Sequence, residues 1–422
     1  MIYGINDKPP FGKLLLFGLQ LMLSVFVATV LIASICGVNI SGALFGAGVA
    51  TVVYLVITGW KSPMFISNSG AFIAPVMAAL AAAGYTGVAV GGLTTCVIYC
   101  LFGLVFTRIS VEKIYRVFPK ALIGAVTIVI GITLMSFIQQ YVSPDGESNI
   151  WAIGIALFTA VVIALISHYS KGIAKILPFM FGTLAGYVLA VILTVTGVSK
   201  LVDFDAFKGI TLFSLPDLAL LHWGPIGLKQ ILTIVPLYIA FTVSAMMECL
   251  ADHSALGAII GTDLFKKPGL ARIFVGEGFA NLASAVLGGQ GTCSYGEGVA
   301  CVGFSKVAST RVTLVAALML IMLSFLTPVQ LFIASIPSCV FAGAAIILYG
   351  YIACSGIRML QQVDLGNAKN MILISAVLSL GISGLAIGGE DFAISGTALA
   401  LVFGVFLNLI LKEKKEGSTE KK

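Results

Sequence analysis

The chain has 422 residues, 59% of them hydrophobic and only 10% charged, with a formal net charge of +6. A soluble domain carries about 25% charged residues, so this chain has too little polar surface to cover a water-soluble body. A soluble enzyme, a nucleic-acid binder and a disordered scaffold are excluded, which leaves an all-α polytopic membrane protein.

Apolar runs of about 20 residues are read as membrane spans. In chain order they fall near 12–36, 41–59, 71–83, 86–107, 119–138, 150–167 and 174–197. A second set follows near 229–251, 269–289, 297–305, 311–328, 334–354, 370–387 and 391–411. The segments at 71–83 and 297–305 are short. The run after Phe11 is too long for a cleavable leader. With the N-terminus inside, all 24 Lys and Arg except Lys200, Lys208 and Lys229 fall on the cytoplasmic side. Arg108, Lys113, Arg116, Lys120, Lys171, Lys175, Lys266, Lys267, Arg272 and the tail at 412–422 are among them. That asymmetry predicts both termini in the cytoplasm, so the basic excess reports topology rather than a ligand patch.

The longest hydrophilic stretch, 198–228, carries Asp203, Asp205, Lys208, Asp217 and His222 and leaves seven apolar segments on either side. Two similar halves with an odd number of spans must sit in opposite orientations, as in inverted-repeat transporters. The halves also share an interruption. Phe65-Ile66-Ser67-Asn68-Ser69-Gly70 precedes the short helix beginning near Ala71, and Gly291-Thr292-Cys293-Ser294-Tyr295-Gly296 precedes the one beginning near Glu297. Both compositions suit extended backbone and N-caps better than continuous helix. Backbone of that kind must be buried in protein or line a wet cavity, because lipid cannot satisfy its hydrogen bonds. Each half-helix points its partly positive N-terminus at that cavity.

Charges inside the membrane are few, and each needs a reason. Glu248 and Asp252 stand four apart at the end of the eighth span, so they project from one helix face. Glu297 opens the second interrupted helix, directly after Tyr295 and Gly296. Glu277 lies in the ninth span between Gly276 and Gly278 and is read as a carboxyl kept permanently protonated or hydrogen-bonded to helix backbone rather than a substrate group. Carboxyls with no Lys or Arg at equal depth are placed to take up and release protons. His253 is read as a helix-end histidine near the cytoplasm, and His168 and His222 as interface or loop residues. The eight cysteines complete no metal set, and Cys96 and Cys100, one turn apart, are expected as buried free thiols. No cofactor or metal is expected. Tyr295 can present a ring face or hydroxyl to a planar ligand.

These residues resemble the nucleobase–ascorbate transporter family and, within it, the bacterial uracil permeases. The resemblance runs from about Pro10 to Leu411. It is strongest from Glu248 through DLFKKPGLARIF to SYGEGVACVGFSK, and again at SIPSCVFAGAAIILYGYIACSGIRML, 335–360, followed by Asn367-Ala368-Lys369-Asn370 and LGISG. It implies fourteen spans in two inverted seven-helix repeats, with two short antiparallel strands before the third and tenth helices. It further implies a core domain from 12–109 and 229–328, a gate domain from 110–197 and 329–411, and dimerisation through the gate. Residues 1–11 and 412–422 are then cytoplasmic ends and 198–228 an extracytoplasmic linker. The family's substrate carboxylates fall on Glu248 and Glu297, and its contact before the tenth helix on Tyr295 and Gly296. Ser69 and Gly70 match the site contacts before the third helix.

Several positions depart from the family pattern. The tenth-helix motif reads Glu297-Gly298-Val299-Ala300 and ends in Ser305-Lys306, without the usual Asn and with Ala for Gly. Gly70 stands where the uracil permeases carry an aromatic ring, and Phe72 is the candidate replacement. Asp252 stands where they carry a histidine, and their Gln-His pair in the first helix reads Gln20-Leu21. The resemblance implies proton-coupled import of a nucleobase across the cytoplasmic membrane, with uracil favoured and xanthine, hypoxanthine or uric acid as the purine alternative. Glu248 and Glu297 would hold ring N–H groups, and Glu248, Asp252 and Glu297 would couple protons. An anion exchanger or channel is the alternative of another class, since fold does not decide function.

Overall fold

The computed structural model describes residues 1–106, 119–136, 138–143, 149–171, 174, 177–202, 211–385, 387–389, 392–394 and 396–411. Arg108, Lys113, Arg116, Lys175, Asp203, Asp205, Lys208 and the tail at 412–422 lie outside them.

Helix α1 spans Phe11–Cys36 and stops at Gly37, whose left-handed φ of 69° no β-carbon would readily adopt. Helix α2, Ile40–Ile57, is capped by Asn39, which accepts from the Ser41 amide. Strand β1, Ile66–Asn68, follows, and after a short turn at Gly70–Phe72 the chain enters α3, Ile73–Phe106. Ala83 and Gly84 (φ 58°) leave helical geometry inside α3, so it supplies both the third and the fourth predicted spans. Next come α4 Lys120–Met135, α5 Ile138–Val142, α6 Ile150–Tyr169 and α7 Pro178–Val195. The second half holds α8 Leu228–Ile260, α9 Leu270–Gly288, strand β2 Thr292–Ser294, α10 Gly296–Ser305 and α11 Thr310–Leu323. It ends with α12 Thr327–Ala334, α13 Ser338–Leu360, α14 Ala368–Ile382, strands β3 Ile387–Gly389 and β4 Phe392–Ile394, and α15 Gly396–Ile410.

Each of the fourteen predicted segments therefore has a helix at its place, and nine helices among the described residues are long and apolar enough to cross a membrane. The chain is a multi-pass helical membrane protein. Three boundaries differ from expectation. Helix α8 runs on to Ile260, well past residue 251, before Gly261 (φ 72°) ends it. The segment expected at 311–328 breaks after Leu323, and α12 follows as a separate short helix. The β3–β4 hairpin straddles the junction of the last two predicted spans, 370–387 and 391–411, where Gly388 and Gly389 favour extended chain over helix.

The helices pack in two groups. One holds α1, α2, α3, α8, α9, α10 and α11; the other holds α4, α6, α7, α13, α14 and α15. Contacts of α1 with α13, and of α8 with α4 and α15, join them. Within the first group α2 and α9 approach backbone to backbone, since a β-carbon on Gly46 would lie 2.9 Å from the Gly288 Cα. The hydrophilic linker docks on this group. Asp217 accepts from Asn39 Nδ2 at 2.9 Å and His222 lies against Asp217, while the Ser214 amide donates to the Phe325 carbonyl.

Candidate functional site

The two interrupted segments meet. Strands β1 and β2 pair antiparallel, with Ile66 opposite Ser294, Ser67 opposite Cys293 and Asn68 opposite Thr292. The Ser69 amide extends the ladder by donating to the Gly291 carbonyl at 3.0 Å. All six paired residues are buried. A two-stranded sheet inside a bundle has two unpaired edges, and each unsatisfied backbone group there is costly. Side chains from two helices bond backbone groups of the pair, and a third helix bonds a side chain of β1. Thr51 Oγ1 on α2 donates to the Ile66 carbonyl at 2.6 Å and accepts from its amide, Asn281 Nδ2 on α9 donates to the Thr292 carbonyl at 2.8 Å, and Thr29 on α1 bonds Ser67 Oγ at 2.6 Å.

This sheet fixes where the two half-helices begin. Tyr295 is the N-cap of α10 and offers no side-chain cap, so the first-turn amides lack the backbone partners of a helix interior, and the Glu297 carboxyl lies against its own amide. Ser69 caps the opposite turn, its Oγ accepting from the Ala71 amide at 3.2 Å, which leaves the hydroxyl proton free to donate elsewhere.

The three carboxyls expected to act together do converge. Glu248, Asp252 and Glu297 lie near enough to interact electrostatically, and a β-carbon at Gly296 would stand 3.6 Å from Asp252 Oδ1. Glu248 accepts from Cys293 Sγ on β2 at 3.4 Å. The Glu248 side chain keeps exposed surface although it sits beside β2 on α8. A cavity of about 510 Å³ reaches Glu297 between α1 and α10 on one side and α6, α7 and α13 on the other. Its lining is mostly apolar, with Ser24, Ser167 and Glu297 among the polar groups. That size and lining suit a small organic ligand.

Tyr295 is buried beside these carboxyls. Ser69 and Gly70 lie at the start of the other half-helix. Phe72 does not take the place of the missing ring at Gly70. It is fully buried, stacks on Tyr238 at 6.1 Å between centroids, and packs where Gly291 has no side chain. The space beside Gly70 is instead met by Ile352 of α13, whose Cδ1 would be 3.0 Å from a Gly70 β-carbon. No sequence signal pointed to Ile352, because the contact joins helices from opposite halves.

One expectation is corrected. His253 is not a helix-end residue, since α8 continues beyond it and its ring is buried, with Nε2 2.6 Å from Tyr54 Oη on α2 and Nδ1 2.8 Å from the Cys249 carbonyl. Glu277 is fully buried, and its carboxyl oxygens close no hydrogen bond to helix backbone; Cys249 and Ser294 are the polar groups beside it. Of the thiols, Cys96 is buried but Cys100 is only half-buried and Cys354 is exposed.

The chain is similar over nearly its whole length to known proteins. It is 31% identical to the uracil permease of Bacillus caldolyticus, covering 99% of this chain and 96% of that protein. It is 30% identical to the uracil permease of Escherichia coli strain K12, covering 97% and 94%. The transmembrane domain of a cyanobacterial bicarbonate transporter, BicA, shares the fold at a TM-score of 0.64 and 15% identity, covering 96% of this chain and all of that one. Residues 12–388 match the Permease family, so the interrupted helices and the carboxyls around them belong to a member of that family, a transporter and not an enzyme.

Proposed function

We propose that this chain imports a nucleobase, uracil foremost, by proton symport across the cytoplasmic membrane. The observation that carries the reading is the approach of Glu248 and Glu297 from different helices to one buried strand pair, Glu248 beside Cys293 and Glu297 just past Ser294. A nucleobase is planar, neutral and edged with adjacent donors and acceptors. A carboxylate accepts only, so two of them suit two ring N–H groups, while the free amides at the start of α10 suit ring carbonyls. The same carboxyls can bind a proton, which couples the two cargoes. The uracil permeases among the relatives support uracil, and so does Ile352, which takes up room that a larger purine would need beside Gly70.

The two packing groups support a core domain and a gate domain built from inverted seven-helix repeats, with the base bound between them. The cavity that reaches Glu297 is then the inward-facing path, and the excess of Lys and Arg supports both termini in the cytoplasm. A homodimer through the gate follows from the family resemblance.

An inorganic anion carrier is the second reading, favoured by the shared fold with the bicarbonate transporter domain. Three carboxyls at the site oppose it, because an anion would meet like charge. Uptake into proteoliposomes separates the two. Inward-directed proton gradients should drive uracil accumulation, and Glu248→Gln and Glu297→Gln should each lower it by about 10²-fold or more through loss of charged hydrogen bonds to the base. Full proton-driven uptake in both variants overturns the mechanism. Bicarbonate- or chloride-driven flux without uracil uptake installs the anion reading instead.

A further inference from the structure

The cavity meets α1 between Leu23 and Ala28 and α13 at Tyr351. Further along α1, toward the docked linker, the two packing groups close on each other through residues that the binding scheme does not use. The last four carbonyls of α1 have no amide of a following turn to accept from. Those of Ala33 and Ser34 accept from the Gly37 and Val38 amides. The amide that would have served Ile35 belongs to Asn39, and it donates instead to Tyr85 Oη at 3.2 Å. Ile35 is buried, so its carbonyl needs a partner from elsewhere. That partner comes from the other group: Tyr141 Oη on α5 donates to it at 2.8 Å. Helix α5 packs on α13, and Ser338 Oγ at the exposed start of α13 donates to the Tyr141 carbonyl at 2.8 Å.

Behind this bond the contact is closed but polar. Cys36 is buried there, with Gln290 beside its thiol. Tyr141, Tyr238 of α8 and Tyr349 of α13 all lie near enough to interact with it electrostatically. Tyr238, Tyr349 and Gln290 are fully buried, yet the two hydroxyls and both amide atoms close no hydrogen bond. Polar groups buried in this way are costly, and hydration would satisfy them. The closed arrangement therefore combines a cross-group hydrogen bond that favours closure with several groups that favour opening. Such a balance suits an element with two states better than a fixed core.

We propose that the Tyr141–Ile35 hydrogen bond is the latch of a gate that shuts the substrate site on the linker side. Cys36, Tyr238, Tyr349 and Gln290 line the passage that its release opens. The proposal rests on the reading that the two groups part on one side of the base at a time. Release costs the bond to Ile35, and water entering the passage takes over the Ile35 carbonyl, the tyrosine hydroxyls and the Gln290 amide. Ser338 acts through Tyr141, by holding α5 where the hydroxyl can reach α1.

The test uses full-length protein in nanodiscs and takes Cys36 as a native reporter. A membrane-impermeant maleimide is added, and labelling is read site by site from peptide masses. Tyr141→Phe keeps the ring and removes the donor. It should raise the labelling rate at Cys36 about 5- to 30-fold, the factor for losing one buried hydrogen bond and leaving its acceptor unpaired. Cys96 and Cys249, buried inside the first group, should label as in wild type, which separates opening of a gate from general loosening. With Ala300→Cys added, labelling at the cavity should stay level or fall. If Cys96 and Cys249 rise with Cys36, the variant has loosened as a whole. Ser338→Ala, which releases α5 without disturbing a packed ring, then decides by the same readouts and should shift Cys36 in the same direction. Labelling of Cys36 at the wild-type rate in the deciding variant overturns the latch and leaves the two-group reading intact. A rise at Cys36 and at Ala300→Cys by the same factor shows both sides opening at once, and overturns that reading and the latch together.

Discussion

Gly70 and Ile352 set a residue without a side chain against the end of a flexible apolar one. A β-carbon at Gly70 would meet only the far end of a flexible side chain, so Gly70→Ala should be nearly silent. A ring grown from the same position must run into Ile352, and overpacking of that kind costs typically 1–3 kcal/mol, or about 5- to 150-fold in an equilibrium constant. Gly70→Phe should therefore weaken uracil binding by that factor, and Gly70→Phe with Ile352→Ala should recover it. A double-mutant cycle on ligand-induced thermal shift measures the coupling. Equal weakening with and without Ile352→Ala would show that the two positions do not share the space. The same residues mark the limit of reading a site from its sequence. Glu248, Asp252, Glu297 and Tyr295 stood out as candidates because a charge or an aromatic in apolar chain needs a local reason, and the fold brings them together. Ile352 is one apolar residue in an apolar helix, and its role exists only through a contact between helices far apart in the chain.

At the scale of elements, the crossing of α2 and α9 sets the position of the strand pair, because β1 follows α2 and β2 follows α9. The two helices touch through Gly42, Gly46 and Gly288, and a β-carbon on Gly288 would lie 2.7 Å from the Gly42 carbonyl oxygen. Small residues spaced four apart permit this approach, which in a bilayer is a principal source of helix association. Gly288→Ala should lower stability by about 1–3 kcal/mol, since backbone rather than a mobile side chain must yield. Gly350→Ala in α13, with nothing within 4 Å of its β-carbon, is the matched control and should be neutral or slightly stabilising. Thermal unfolding of the two variants in one detergent reads the difference, and similar midpoints would refute a tight crossing. The paired interruptions were legible from composition, since Ser, Thr, Asn and Gly clustered twice inside apolar chain. The ends of helices were less so. Helix α8 passes residue 251 because Ala251 to Ile260 carry no Gly or Pro except Gly257, and only Gly261 has the left-handed φ that stops it. That overrun, invisible to hydropathy, places His253 in the interior.

For the whole molecule, alternating access requires that the two packing groups part on one side of the bound base at a time. A cavity lies between α1 and α10 and the α6–α7–α13 face, and Glu297 lines it. Ala300 is exposed there one turn beyond Glu297 on α10. A cysteine at Ala300, in a chain with exposed Cys354 changed to Ser, should react with a membrane-impermeant thiol reagent from the side that carries the N-terminus. Right-side-out vesicles should protect it and inside-out vesicles expose it. Saturating uracil should change the labelling rate by shifting the population between inward- and outward-facing states, by no more than the ligand's differential affinity for them. The same substitution at Gly350, on the opposite packing group and outside the cavity lining, should show no such dependence on uracil. Labelling of Ala300→Cys from the opposite face alone would place the opening on the other side of the membrane and invert the topology drawn from the Lys and Arg distribution. Labelling from the expected face but indifferent to uracil would separate this cavity from the transport path and leave the strand crossing without its route to water.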